Sequence, residues 1–205
     1  LRLIVDGFPA PIGHTILEKR RWVRENHDAL RRALMWEPRG PADMSVCLLT
    51  EPTTDDGDVG VLFMHNEGLS TMCGHGIIGL VKIGFDTGIL ESEDDEPVVR
   101  IDTPAGRVTA TAHRDQNGRI REVSFLNVSS FLLERDLVVQ VDGVGEVTCD
   151  IAFGGAFYAY VDADALGLEL GPAACREIID QGMRIKRAVT DRDLERFTGR
   201  DPLGL

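Results

Sequence analysis

One short segment gathers the side chains best suited to moving a proton. It is Thr71-Met72-Cys73-Gly74-His75-Gly76, set directly before an apolar run from Ile77 to Phe85. That placement puts Cys73 at a helix start, where unpaired backbone N–H groups and the positive end of the macrodipole meet. Both favour thiolate over thiol. The same N–H groups can grip a substrate carboxylate. The segment could thus supply a base and an anion clamp together. A second reading stays open beside it: a buried structural cysteine next to a tight turn, since a free thiol is often only a small apolar filler. A third takes Cys73, His75 and His65 as metal ligands. No second Cys/His pair stands at ligand spacing, so no metal is expected. Ser70 and Thr71 have no evident His–carboxylate arrangement to activate them, and one of them is expected to cap the helix that follows.

The other candidates carry less. Cys47 lies within an apolar strand and reads as core, Cys149 ends a strand, and Cys175 reads as packing within a helix. His14, His27 and His113 fall in loop or surface contexts with no chemical role expected. Glu18-Lys19-Arg20-Arg21 reads as a solvated helix face.

The elements that must position Cys73 follow from periodicity. Leu1 to Val5 reads as a strand and residues 7–13 as a turn-rich loop. From Thr15 to Met35 the pattern turns helical, with Leu17, Val23, Leu30, Ala33 and Leu34 on one face. Thr15 with Glu18 has capping-box spacing, and the helix should stop before Pro38. Val46–Thr50 and Val59–His65 read as strands. Residues 77–87 are apolar on nearly every side, which marks a helix buried outright, with Gly88 as its stop. Strands are expected at 98–101, 107–112 and 120–125, a hairpin at 138–150 around Gly143-Val144-Gly145, and a strand at 156–161. A last helix is expected from Gly171 to Val189, with Ile178, Ile179 and Met183 inward. The tail 191–205 carries little signal. Many short strands around one buried helix define an α+β fold.

Composition narrows the function classes. The chain has 205 residues, with 22 Lys plus Arg against 34 Asp plus Glu, a formal charge of −12. That balance opposes a nucleic-acid binder and a polybasic membrane patch. Hydrophobic residues make up 43%, too many for a disordered chain. No apolar stretch approaches the roughly 20 residues that span a bilayer. Neither a signal peptide nor a small disulfide scaffold is recognisable, so free thiols in a reducing, cytoplasmic setting are expected. There is no GxGxxG after a strand and no GxxxxGK[ST], so nucleotide folds gain no support. The chain opens without Met and in mid-strand, from which a missing or processed N-terminus is expected.

The segment from His65 to Ile78, His65-Asn66-Glu67-Gly68-Leu69-Ser70-Thr71-Met72-Cys73-Gly74-His75-Gly76-Ile77-Ile78, resembles the first active-site motif of the proline racemase family. That family includes proline racemases, 4-hydroxyproline 2-epimerases and trans-3-hydroxy-L-proline dehydratases. Glu18-Lys19-Arg20, Glu37-Pro38-Arg39-Gly40 followed by Asp43-Met44, and Asp102-Thr103-Pro104-Ala105-Gly106 agree with it. So do Val123 to Val128 and Asp150 to Ala159, and the resemblance covers about residues 1–170. It implies a diaminopimelate-epimerase-like fold with two similar lobes, each wrapping a central helix. Residues 1–125 would form the first lobe and 126–205 the start of an incomplete second. It also implies cofactor-independent chemistry at Cα, a proline or hydroxyproline substrate and a homodimer, with no nucleic-acid or membrane partner. Cys73 matches the first of two facing bases, and Gly74 and His75 match the carboxylate-holding positions. The family's second catalytic motif and its usual N-terminal stretch have no match here, so truncation at both ends is expected. Pro41 stands where His is common, Ser45-Val46-Cys47 is unusual after Asp-Met, and Leu69 stands where an aromatic is frequent.

Three functions follow as expectations. The first is a proline or hydroxyproline racemase or epimerase working by thiol/thiolate proton transfer. The second is a trans-3-hydroxy-L-proline dehydratase. The third is an inactive fragment or carboxylate-binding protein that uses the clamp alone.

Overall fold

The structure is a computed structural model. It describes residues 1–41 and 43–199, the side chains of 193–199 excepted. The chain divides into two compact units, Leu1–Val128 and a second that begins at Ser129.

The first unit is built on a seven-stranded sheet. Its strands are β1 (Arg2–Ile4), β2 (Val46–Thr50), β3 (Val59–Met64), β4 (Leu69–Ser70), β5 (Val98–Thr103), β6 (Gly106–Arg114) and β7 (Ile120–Leu126). The order is β1-β2-β3-β5-β6-β7, with β4 paired to β3. Strand β3 is buried along its whole length, because a helix covers each face. Successive side chains point to opposite faces. Val59, Val61 and Phe63 therefore meet helix α2 (Gly74–Thr87), whereas Leu62 and Met64 meet α1 (Ile16–Met35). On β2 the same parity sends Val46 and Leu48 toward α1 and Cys47 toward α2.

Helix α1 begins as the sequence predicts, with the Thr15–Glu18 capping box formed in both directions. Its inward face differs from the expected one. Ile16, Lys19, Val23, Arg31 and Met35 are buried, while Leu30 is exposed. A kink at His27 (φ −133°, ψ 20°) breaks the helical phase between the two halves. Lys19, expected in solvent, donates from Nζ to Glu51 O (2.7 Å) and Thr50 Oγ1 (3.0 Å). Burial pushes its pKa down, against the pull of Glu51 and Asp102.

Helix α2 is not buried on all sides, contrary to the sequence expectation. Gly76, Ile77, Leu80, Val81 and Gly84 lie against the sheet, while Ile78 is 42% exposed. Within this unit the sheet covers only that one face. Each Leu, Ile or Val so covered stabilises the packing by about 1.5–3 kcal/mol, which offsets the weak propensity of the helix glycines. Gly88 ends α2 in the left-handed region (φ 73°), and its N–H bonds back to the last turn.

A buried carboxylate ties the 51–57 loop to this sheet. Asp102 accepts from Thr53 N (2.8 Å), Thr54 N (2.9 Å), Thr54 Oγ1 (2.8 Å) and Arg107 Nε (2.9 Å). Burial pushes its pKa up, but these donors outweigh burial and hold it below the ordinary 3.8. A lowered folded-state pKa contributes stability above the unfolded value, and that stability is lost as pH falls through the folded one. Asp102→Asn is therefore expected to cost about 3 kcal/mol near neutral pH. The gap from wild type should close as pH falls below about 4. Urea unfolding at the two pH values checks both.

The second unit has strands β8 (Phe131–Val141), β9 (Gly145–Phe153) and β10 (Phe157–Val161) in an antiparallel sheet ordered β10-β9-β8. The β8–β9 hairpin turns where the Gly143-Val144-Gly145 signal predicts. Helix α3 (Cys175–Gly199) follows a short 3₁₀ turn at Pro172–Ala174. It buries Ile185 and Val189 against the sheet. The sequence expectation placed Ile178, Ile179 and Met183 inward, yet Ile179 is 60% exposed. Ile178 and Met183 are half-buried, and Ile178 shares the face of Ile185 and Val189, so the departure lies at Ile179. Cys175 is exposed, not packed. Residues 200–205 of the low-signal tail lie outside the described residues.

Candidate active site

Cys73 is the N-cap of α2, extended at φ −147° and ψ 101°, and its side chain makes no capping bond. Its sulfur is left for other partners. By helix geometry the N–H groups of Gly74 and His75 have no partner within the helix. These are the three residues that the sequence nominates, and the structure brings them together on one turn. Gly74 is half-buried and Cys73 is 6% exposed.

The Cys73 sulfur lies 3.6 Å from both ring nitrogens of His75. The Gly76 N–H and the Ser45 side chain both favour its ionised form. His75 Nε2 is 3.0 Å from Ser45 Oγ. Ser45 Oγ is 3.5 Å from His65 Nδ1. Ser45 and His65 continue the β2–β3 register, in which Val46 pairs with Met64, so they stand opposite each other where the two strands end. The sequence reading missed Ser45. Strand parity could have found it, since Ser45 shares the α2-facing side with Cys47.

Gly76 lets this cluster close. A Cβ there would lie 3.1 Å from Cys73 Sγ, 3.2 Å from Cys47 Sγ and 3.1 Å from Phe63 Cε1. Cys47 Sγ donates to Gly76 O at 3.7 Å. Cys47 is thus core, as expected, and also a close neighbour of the Cys73 thiol. Burial pushes Cys47 up to about 12, which keeps it uncharged.

Burial likewise pushes the Cys73 thiol above the ordinary 9.0, against the opposing pull of Gly76 N–H and Ser45. The sequence expectation of a thiolate favoured by the helix start meets a stronger desolvation cost. Desolvation therefore favours the thiol over the thiolate. His65 is held below the usual imidazole range by burial and by the neighbouring His75. Cys73, His75 and His65 do cluster, through Ser45. Among the described residues, however, no three of His, Cys, Asp and Glu converge as a metal site requires. Among them, too, no helix is long and apolar enough to cross a membrane.

The chain belongs to the proline racemase family, whose model, described as Proline racemase, matches residues 1–201. The trans-3-hydroxy-L-proline dehydratase of Colwellia psychrerythraea is 47% identical over 189 residues, covering 92% of this chain and 53% of that protein. The trans-L-3-hydroxyproline dehydratase of Xenopus tropicalis is 45% identical over 190 residues, covering 92% and 54%. A hydroxyproline epimerase from Agrobacterium vitis, solved with bound trans-4-OH-L-proline, matches with a TM-score of 0.85 at 30% identity, covering 93% of this chain and 56% of that one. The fold is the α+β, diaminopimelate-epimerase-like class expected from the sequence. The chain spans about half the length of the curated relatives it matches.

Proposed function

We propose that this chain carries the thiol base and carboxylate clamp of an enzyme acting at Cα of a proline-type amino acid, and that the reaction is dehydration of trans-3-hydroxy-L-proline. The observation that carries the first part is Cys73 at the α2 N-terminus, beside the N–H groups of Gly74 and His75. The substrate carboxylate binds those N–H groups, which sets Cα against the sulfur. The Cys73 thiolate then takes the α-proton. In the dehydration, the Cα–H electron pair forms a Cα=Cβ bond as the β-hydroxyl leaves with a proton as water. The dehydratase reading is preferred because relatives so named are 47% and 45% identical, against 30% for the epimerase. The epimerase supports a second reading, racemisation or epimerisation, in which a proton returns to Cα from the opposite face.

Proton NMR in D₂O tests the proposal on the protein carrying this chain, with proline, trans-4-hydroxy-L-proline and trans-3-hydroxy-L-proline as substrates. A pyrroline product from the 3-hydroxy acid alone is expected. Deuterium at Cα with inversion of proline or the 4-hydroxy acid would replace dehydration by epimerisation. Carboxylate binding with no α-exchange would leave only the clamp. Because burial holds the Cys73 thiol above 9.0, the rate of α-proton loss should still be climbing at that pH. A plateau near neutral pH would contradict the free thiolate as base.

A further inference from the structure

The Ser45 hydroxyl stands where the groups of the site converge. It lies 3.0 Å from His75 Nε2 and 3.5 Å from His65 Nδ1, and His75 in turn lies 3.6 Å from the Cys73 sulfur. Ser45 is 6% exposed. We propose that Ser45 is the positioning residue of the thiol base: its hydroxyl, held by the two imidazoles, donates its proton to Cys73 Sγ and sets how readily that thiol ionises. The proposal deepens the reading of Cys73 as the base and rests on it.

The argument is one of donors and acceptors. A hydroxyl has one proton and two lone pairs. With N–H groups from His75 Nε2 and His65 Nδ1 filling the lone pairs, the remaining proton points at sulfur. The sulfur then receives two donors, Ser45 O–H and Gly76 N–H, and donors bind a thiolate more strongly than a thiol. A neutral His65 fits this arrangement, since a ring protonated on Nδ1 alone still donates. Burial and His75 keep His65 toward that neutral form. The other titratable groups beside the sulfur are Cys47 on β2, which burial keeps uncharged, and His75 on α2. Neither can replace a hydroxyl donor at the Ser45 position. The two strand ends supply the precision, because Ser45 and His65 are fixed to each other by the β2–β3 register.

The test titrates the ultraviolet thiolate band of the full chain. The spectrum of the matching Cys73→Ser protein is subtracted in each background, so that Cys47, Cys149 and Cys175 cancel. Ser45→Ala is expected to move the Cys73 midpoint to higher pH, leaving about tenfold less thiolate at a given pH on the rising limb. Ser45→Thr, which keeps the hydroxyl, should restore the wild-type curve, and Ser45→Val, its isostere without one, should not. Thr and Val share a shape, so this pair decides the matter even where Ser45→Ala folds poorly. Superimposable wild-type and Ser45→Ala curves would overturn the proposal. So would Thr and Val curves displaced equally. No substrate enters this readout. A displaced Ser45→Ala midpoint therefore supports the hydroxyl's role even in a protein that exchanges no α-proton, and the two readings fail separately.

Discussion

Replacing Cys73 by serine is expected to slow loss of the substrate α-proton in D₂O by about 10³-fold while leaving the fold intact. A serine hydroxyl is a far weaker acid than a thiol and stays protonated across the range in which the protein is folded. Its ionised form is therefore never populated enough to act as base. The clamp should survive, because the N–H groups of Gly74 and His75 belong to the backbone. Substrate carboxylate binding is accordingly expected to change little while turnover falls. Stability should not suffer either. Cys73 makes no capping bond, whereas serine is among the preferred N-cap residues, so the variant gains a cap for α2. Exchange rates by proton NMR and a thermal unfolding curve check the two halves of this expectation. A variant that exchanges the α-proton at the wild-type rate removes Cys73 from the chemistry, and another base must then be sought.

Much of the path to Cys73 was legible in the residues, and the misreadings have physical causes. Short apolar stretches bounded by turns marked β2, β3 and β5 to β7, and the Thr15–Glu18 spacing marked the start of α1. Such signals are local, and local geometry suffices to produce them. The inward face of α1 was misjudged because hydrophobic periodicity assumes one unbroken helix and no buried charge. The kink at His27 violates the first assumption, and Lys19 and Arg31 violate the second. A long charged side chain can line a core when its stem packs and backbone carbonyls receive its head. The exposed side of α2 was misjudged for a different reason. Apolar composition says that a residue favours burial, not that the sheet reaches every face of its helix. At the site, the motif revealed Cys73, Gly74 and His75 because they are consecutive on one turn. Ser45 and Cys47 join them only through the β2–β3 register and the glycine at 76. That long-range proximity is set by strand pairing, which no short motif contains.

Arg31→Met is expected to lower stability by about 3 kcal/mol, and the loss would fall on the hairpin that presents His65. Arg31 is 4% exposed. Its Nη1 donates to His65 O and Asn66 O, both at 2.7 Å, and its Nε to Asp28 Oδ1 at 2.6 Å. The Asp28 carboxyl lies below its usual range chiefly through that last bond. Methionine can fill the space of the stem but donates nothing, so the two carbonyls lose a charged donor in a place that water reaches poorly. The neighbouring bonds soften the loss without removing it. Trp36 Nε1 still reaches Asn66 O at 3.0 Å, and Asn66 Nδ2 still reaches Met35 O at 3.1 Å. Arg31→Lys should recover only part of the stability, since one ammonium cannot reproduce a fork that serves two carbonyls and a carboxylate together. Urea unfolding of the three proteins at neutral pH orders them wild type, Lys, Met. A Met variant within about 0.5 kcal/mol of wild type would mean that the Arg31 bonds are replaced by water at no cost. The same substitution should also disturb the thiol titration, because His65 is held at its carbonyl by Arg31 and at its ring by Ser45. On the Ser45 proposal, the stability of α1 and the ionisation of Cys73 would be linked through one residue of the turn between β3 and β4.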